Sequence, residues 1–225
     1  MSVNIVSISV GKPATILYHG RELSTGIYKK STSQPLYLSR LNFDGDGQAD
    51  LAHHGGPDKA VCVYPFEHYP YWEKELNRTL GPGAFGENLT LQGLPEKDVC
   101  IGDIFELGEA IVQVSQPRQP CHKLAKKFDV PDLPVRVQNT GFTGYYFRVL
   151  KEGWVTKEKP MLLLERHPKK VSVQFANRMM HHDKNNMEEV KRLLEVQELS
   201  ENWRQTLLKR LEVKEVDTKR RIEGE

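Results

Sequence analysis

Over the first three quarters of the chain, apolar and polar positions alternate in short runs that end at Gly, Pro or Asp. VNIVSISV (3–10) and PATILYH (13–19) are bounded by Gly11 and Gly20, and LYLSRLNF (36–43) ends at the turn-rich DGDG. AVCVY (60–64), DIFELG (103–108), EAIVQVSQ (109–116), GYYFRVL (144–150) and PMLLLERH (160–167) follow. A period near two with turn residues between runs predicts strands, and Gly108-Glu109 predicts a hairpin turn between two of them. In GYYFRVL, Tyr145, Phe147 and Val149 share one face; Tyr146, Arg148 and Leu150 share the other. Two helices interrupt, about Pro65–Leu76 and about Cys121–Phe128. Many short strands punctuated in this way predict a mainly β domain, a barrel or sandwich.

From Val171 the period becomes helical. Ser172, Asn186 and Ser200 stand where they can cap three helices. Their apolar faces are Val173, Ala176, Met179 and Met180; Met187, Val190, Leu193 and Leu194; and Trp203, Leu207, Leu208 and Leu211. The predicted division is a β domain over 1–167 and a three-helix domain over 168–225. Pro168 breaks the last strand, and a charged tail after Val213 is expected to fray. Three short amphipathic helices bury little among themselves. Trp203, the leucine stripe, Met179 and Met180 therefore need cover from the barrel or from a second subunit. A homodimer with the helices near its interface is the expectation.

Composition narrows the function classes. The 225 residues suit one or two domains. A net charge of +2, from 32 basic and 30 acidic residues, is too balanced for a nucleic-acid coat. No run approaches the ~18 apolar residues of a membrane helix, and the N-terminus lacks a secretory leader pattern. The expectations are no nucleic-acid partner, no membrane and a cytoplasmic location. Three cysteines without CxxC spacing make neither a disulfide framework nor a zinc finger. Cys62 in AVCVY and Cys100 in DVCIGD read as buried small hydrophobes.

Cys121 keeps different company. In SQPRQPCHKLAKKF (115–128) it stands at the start of a helix beside His122, with Arg118, Lys123, Lys126 and Lys127 nearby. No acidic residue occurs between Glu109 and Asp129. A thiol so placed favours the thiolate, which attacks electrophiles or binds soft metals; a buried Cys beside a solvated basic helix face is the bland alternative. In QADLAHHGGPDKAVCVY (48–64), His53 and His54 point to opposite faces of an extended chain, so they cannot both serve one metal. TLGPGAFGENLTLQG (79–93) is neither a Walker A loop nor GxGxxG. Its glycines can still aim backbone amides at one anion. Arg148, among apolar neighbours, needs an anionic partner; a ligand phosphate or Glu87 would serve. DGDGQAD (44–50) lacks the Gly and closing Glu of a calcium loop, and the C-terminal helices lack the basic footprint of a DNA-binding module.

Taken together, DGDGQADLAHHGGPDKAVCVYPFEHY, FGENLT, IGDIFELG and VSQPRQPCHKL, followed by TGYYFRVL, resemble the MOSC domain of YiiM-type proteins. The resemblance covers roughly Val3 to His167, and the remainder is similar to the three-helix domain appended in such members. It implies a MOSC-type β-barrel that binds molybdenum cofactor, with Cys121 as the thiolate ligand to molybdenum. Lys59, Gly86, Glu87, Asn88, Arg118 and Arg148 fall in matching motifs as candidates to hold the cofactor, and His54 or His122 as candidates to supply a proton. The activity implied is reduction of N-hydroxylated compounds, such as hydroxylaminopurines and hydroxylamines. The metal carries the redox chemistry and a separate reductase delivers the electrons. A carrier of the cofactor, or of sulfur as a Cys121 persulfide, is the alternative. A metal-free thiol enzyme using Cys121 with a histidine base is another.

Overall fold

The computed structural model describes residues 2–18, 20–49 and 55–223. The strands are β1 (Ser2–Val10), β2 (Ala14–Tyr18), β3 (Arg21–Thr25), β4 (Lys30–Thr32), β5 (Leu36–Leu38) and β6 (Val61–Pro65), then β7 (Leu89–Gln92), β8 (Ile104–Leu107), β9 (Ala110–Pro117), β10 (Tyr145–Lys151), β11 (Gly153–Val155) and β12 (Met161–Glu165). The helices are α1 (Tyr69–Leu76), α2 (His122–Phe128), α3 (Leu133–Thr140), α4 (Val173–His181), α5 (Met187–Leu194) and α6 (Glu201–Glu223). Seven strands close a barrel in the order β1, β12, β8, β9, β10, β6, β7 and back to β1, and β4 pairs with the far end of β1. Neighbours in the barrel run antiparallel except β6 and β7.

Alternation decides which side chains fill the barrel. Val61 and Val63 of β6 and Tyr145, Phe147 and Val149 of β10 point into the core; Cys62, Tyr64 and Tyr146 do not join it. In β1 the core residues are Val3, Ile5 and Ile8. A register shift between Ile5 and Ser7 moves the inward set from odd to even positions. Leu107 pairs with Ala110, so Gly108-Glu109 forms the expected two-residue hairpin.

A second cluster lies outside the barrel. Tyr64, Tyr69, Trp72, Phe85, Leu124, Phe128, Leu133 and Val137 pack there and seat α1, α2 and α3 against the barrel wall. Trp72 Nε1 donates to the Tyr64 hydroxyl at 2.7 Å, which in turn donates to Phe142 O at 2.9 Å. The first expected helix is shorter than its pattern suggests: β6 runs through Pro65 and a 3-10 turn, Phe66–His68, precedes α1.

The C-terminal helices dock on their own barrel. Val173, Ala176, Met179, Met180, Val190, Leu193, Trp203 and Leu207 belong to the same buried cluster as the barrel interior. The apolar cover expected from the barrel or from a second subunit is supplied within one chain; Leu208 alone of that set is exposed. Ser172 and Asn186 cap their helices by accepting from Phe175 N at 3.1 Å and Glu189 N at 3.3 Å. Ser200 does not: its hydroxyl has no partner, and Glu201 N reaches Asp58 Oδ2 of the barrel at 3.4 Å. Helix α6 continues to Glu223, beyond the point where fraying was expected.

Candidate functional site

The prolines at 117 and 120 hold the chain extended as it leaves β9, and Cys121 ends that stretch at φ −129°, ψ 171°. It is the N-cap residue of α2, whose Leu124 and Phe128 are buried in the outer aromatic cluster. That anchoring sets the Cys121 thiol at the rim of a cleft on the barrel's outer face. The cleft is open to solvent, with an empty volume of ≈ 610 Å³. Its walls come from far-separated parts of the chain: Thr25–Ile27, Lys29, residues 46–49, Lys59, Cys62, Gly86, Asn88, Arg118, Cys121, Lys123 and Tyr146.

Four cationic side chains, Lys29, Lys59, Arg118 and Lys123, face this space against one carboxylate, Asp46. Asp46 is already engaged: it pairs with Lys29, and its oxygens also accept from Gly11 N at 3.0 Å and Asn88 Nδ2 at 2.8 Å. Arg118 Nη2 donates to Phe85 O at 2.6 Å, and its backbone amide donates to Gly144 O at 3.0 Å. Gly144 has φ +72°, and a Cβ there would stand 2.2 Å from Val63 O, so the turn that holds Arg118 admits no other residue. Burial pushes the Cys62 thiol up from its ordinary value, against the lowering influence of Arg118. Burial likewise raises the Tyr146 phenol, keeping it protonated. Beneath the cleft, burial lowers Lys127 to about 8. Its ammonium donates to Ile27 O at 3.1 Å and Gly83 O at 3.0 Å, tying two wall loops together.

The candidates named from the sequence separate cleanly. Cys121, Lys59, Gly86, Asn88 and Arg118 line the cleft. Asn88 is also structural, since Oδ1 accepts from Cys62 N at 3.0 Å and Nδ2 donates to Ser9 O at 3.2 Å. His54 lies outside the described residues. His122 is exposed at the first position of α2 and does not line the cleft. Glu87 is fully buried and faces away from it. Its carboxylate accepts from Gly83 N and Phe85 N, both at 3.0 Å, from Thr90 Oγ1 at 2.9 Å and from the Tyr69 hydroxyl. The anion that the glycine loop embraces is therefore the protein's own. Arg148 also leaves the site, and Glu87 is not its partner. Its Nη2 pairs with Asp58 Oδ1 at 2.7 Å and its Nη1 donates to Gln113 Oε1 at 3.1 Å.

Cys62, Tyr146, Lys29 and Asp46 were not foreseen in the site. Alternation along AVCVY carries the signal for Cys62, because Val61 and Val63 take the inward positions. Cys62 and Tyr146 are cross-strand partners, so they reach the cleft together. Lys29 and Asp46 come from irregular loops whose approach no local pattern encodes. Among the described residues no group of three His, Cys, Asp or Glu side chains could hold a metal ion, and no helix is long and apolar enough to cross a membrane.

Comparison with known proteins gives a consistent result. The MOSC domain family model matches residues 50–161, and one described as YiiM-like, 3-alpha helix domain matches residues 171–213. The uncharacterized protein YflK of Bacillus subtilis (strain 168) is 56% identical over 207 residues, covering 92% of this chain and 94% of that one. The crystal structure of YiiM from Geobacillus stearothermophilus superposes with TM-score 0.81 at 44% identity, over 93% of this chain and 99% of that one. A protein named reductase from Gibberella moniliformis (strain M3125 / FGSC 7600) is 38% identical over 165 residues, 72% of this chain but 29% of that longer one.

Proposed function

Since the chain belongs to the MOSC family in its YiiM-like form, with a barrel followed by a three-helix domain, we propose that the cleft around Cys121 holds molybdenum cofactor and that the protein reduces N-hydroxylated compounds. The observation that carries this reading is the composition of the cleft: two thiols, Cys62 and Cys121, with Lys29, Lys59, Arg118 and Lys123 around them. Thiolate suits a soft metal better than oxygen donors do, and a cationic wall suits a phosphate-bearing ligand. The residues present therefore fit the group that the family implies.

In this reading Cys121 is the protein ligand to the metal, while Arg118, Lys59 and Lys123 hold the anionic part of the cofactor. When bound, the cofactor supplies two-electron chemistry, which turns an N–OH group into the amine and water. The chain's own contribution is placement. Lys127 and Glu87 fix the two loops that carry Ile27, Gly83 and Phe85, and Phe85 O fixes the Arg118 guanidinium. The Tyr146 phenol, its pKa raised by burial, faces the cleft as a hydrogen-bond donor. Electrons come from a separate reductase. The fungal protein named reductase, in which the matched segment is a minor part, supports such a division of labour.

Metal analysis of protein produced in a cofactor-making host tests the proposal. Stoichiometric molybdenum and turnover of a hydroxylamine are expected in wild type and in Cys100→Ser, and both are expected to be lost in Cys121→Ser. Undiminished molybdenum and turnover in Cys121→Ser would refute the ligand assignment. Bound molybdenum without turnover under any electron donor would favour a carrier.

A further inference from the structure

The mount of Arg118 reaches into the three-helix domain. Strand pairing between β9 and β10 ends at Pro117, and one further backbone bond, Arg118 N to Gly144 O at 3.0 Å, holds the next residue. Gly144 thus carries the backbone end of Arg118, and two buried side chains hold Gly144 in turn. Glu96 Oε1 accepts from Gly144 N at 2.7 Å, and its Oε2 lies 2.6 Å from His68 Nε2. Thr143 Oγ1 donates to Gly144 O at 2.9 Å and accepts from Asn177 Nδ2 of α4 at 2.7 Å. Gln174 N, in the first turn of the same helix, donates to Glu96 O at 2.9 Å. Helix α4 therefore braces both supports of Gly144. Glu96, Thr143 and Asn177 are 4%, 1% and 2% exposed.

Stability alone gives little reason for these residue types. Buried polar groups cost free energy unless they are matched, and an apolar pair of the same shape in place of a buried bonded pair is often nearly neutral. Asn177 is not even fully matched, for its Oδ1 meets no protein donor. What the polar set supplies is direction. Gly144 has no side chain to anchor it, and here its N–H and its C=O are both held.

We propose that Glu96, Thr143 and Asn177 are positioning residues for the cleft, and that α4, docked on the barrel, sets the cleft's affinity for anions by fixing Arg118 through Gly144. The three-helix domain is then a working part of the site, although none of its residues lines the Cys121 cleft. This rests on the reading of that cleft as the place of an anionic ligand, and it adds the coupling of the cleft to α4.

Isothermal titration of the full chain with inorganic phosphate makes the test, with Arg118→Gln setting the reference loss. Thr143→Val combined with Asn177→Leu removes both partners of one buried bond. Its melting temperature should stay within about 4 °C of wild type, while phosphate affinity falls about three- to tenfold. Thr143→Val alone breaks the same chain if the pair melts early. Glu96→Gln keeps an acceptor for Gly144 N and should bind phosphate as wild type does. In an Arg118→Gln background the Thr143 and Asn177 changes should cause no further loss, because no guanidinium is left to position. Wild-type affinity in the Thr143 and Asn177 variants, beside a weakened Arg118→Gln, overturns the coupling and leaves the cleft reading standing. An equal loss in both Arg118 backgrounds overturns it too, since that marks a general loosening of the fold. Absence of phosphate binding, or binding that Arg118→Gln does not weaken, overturns the cleft reading and this inference with it.

Discussion

Replacing Glu87 by Gln changes one oxygen to an amide nitrogen inside a site with four donors and no water-exposed surface. Glu87 Oε1 accepts from Gly83 N, Thr90 Oγ1 and the Tyr69 hydroxyl, and Oε2 accepts from Phe85 N. The best fit for Gln keeps its carbonyl oxygen on the three-donor side and turns its NH₂ against the Phe85 N–H. One buried donor is then orphaned at about 1–3 kcal/mol, and three charge-assisted bonds become neutral ones. Relief from burying a charge offsets part of that loss. A net destabilisation of about 2–4 kcal/mol follows for Glu87→Gln, and about 4–5 kcal/mol for Glu87→Ala, which orphans every donor and leaves a void. Urea unfolding with unchanged slope is the assay. Two variants within about 0.5 kcal/mol of wild type, the range of ordinary surface substitutions, would refute the reasoning. So would a Glu87→Gln protein of native stability with altered ligand binding, for that would return the carboxylate to the cleft.

Arg118→Glu should reduce binding of an anionic ligand in the cleft by about tenfold or more, measured by titration. Lys169→Glu should leave it unchanged, since Lys169 pairs with Glu195 on the exposed surface at 2.6 Å. His181 is held neutral by burial, its pKa lowered from 6.5 to about 4. The stability this confers is complete above pH 6.5 and drains away as pH falls toward 4. For a ring still partly open to solvent it amounts to about 1–2 kcal/mol. His181→Leu should flatten that limb of a stability–pH curve, and an unchanged acid limb would exclude the histidine as its source. Trp203→Ala should cost about 3–5 kcal/mol by urea unfolding. Trp203→Phe should cost much less, because the buried indole N–H has no acceptor to lose; equal losses would contradict this.

The barrel was readable because its strands alternate cleanly: spacing put Tyr145, Phe147 and Val149 on one face, and the structure turns that face inward. What escaped lacks such a pattern. β3, RELST, pairs only with β2 in a two-stranded ribbon, and the residue it buries fully is the polar Thr25, so no apolar alternation marks it. β7, LTLQ, has three successive buried residues and follows directly on a glycine loop, which hid its period. α3, LPVRVQNT, carries β-branched residues and a proline. It is helical because Pro134 fits a first turn and Leu133 and Val137 meet the outer cluster together. In the site, Cys121 and Arg118 were legible from one short segment. The internal use of Glu87 was not, since a buried carboxylate and a ligand-binding one look alike until its donors are located. Asp46 illustrates the same limit: its loop was set aside as a failed calcium motif, yet it neutralises Lys29 across the chain.

The barrel is closed by two residues at each end of its span, Ser2 with Leu162 and Val3 with Met161. Until β12 has emerged from the ribosome, β1 and β8 have one unpaired edge apiece, and nothing local can cap them. Closure is a contact of very high sequence separation, which slows folding and prolongs the interval in which open edges invite mispairing. The three helices follow β12 in the chain and bury their apolar faces on the finished wall. In synthesis they come too late to guide the barrel, and they act instead as a latch on it. Chains truncated before β12 should therefore collapse without a cooperative transition and aggregate. Removing only the helices should leave a closed barrel with an uncovered apolar flank.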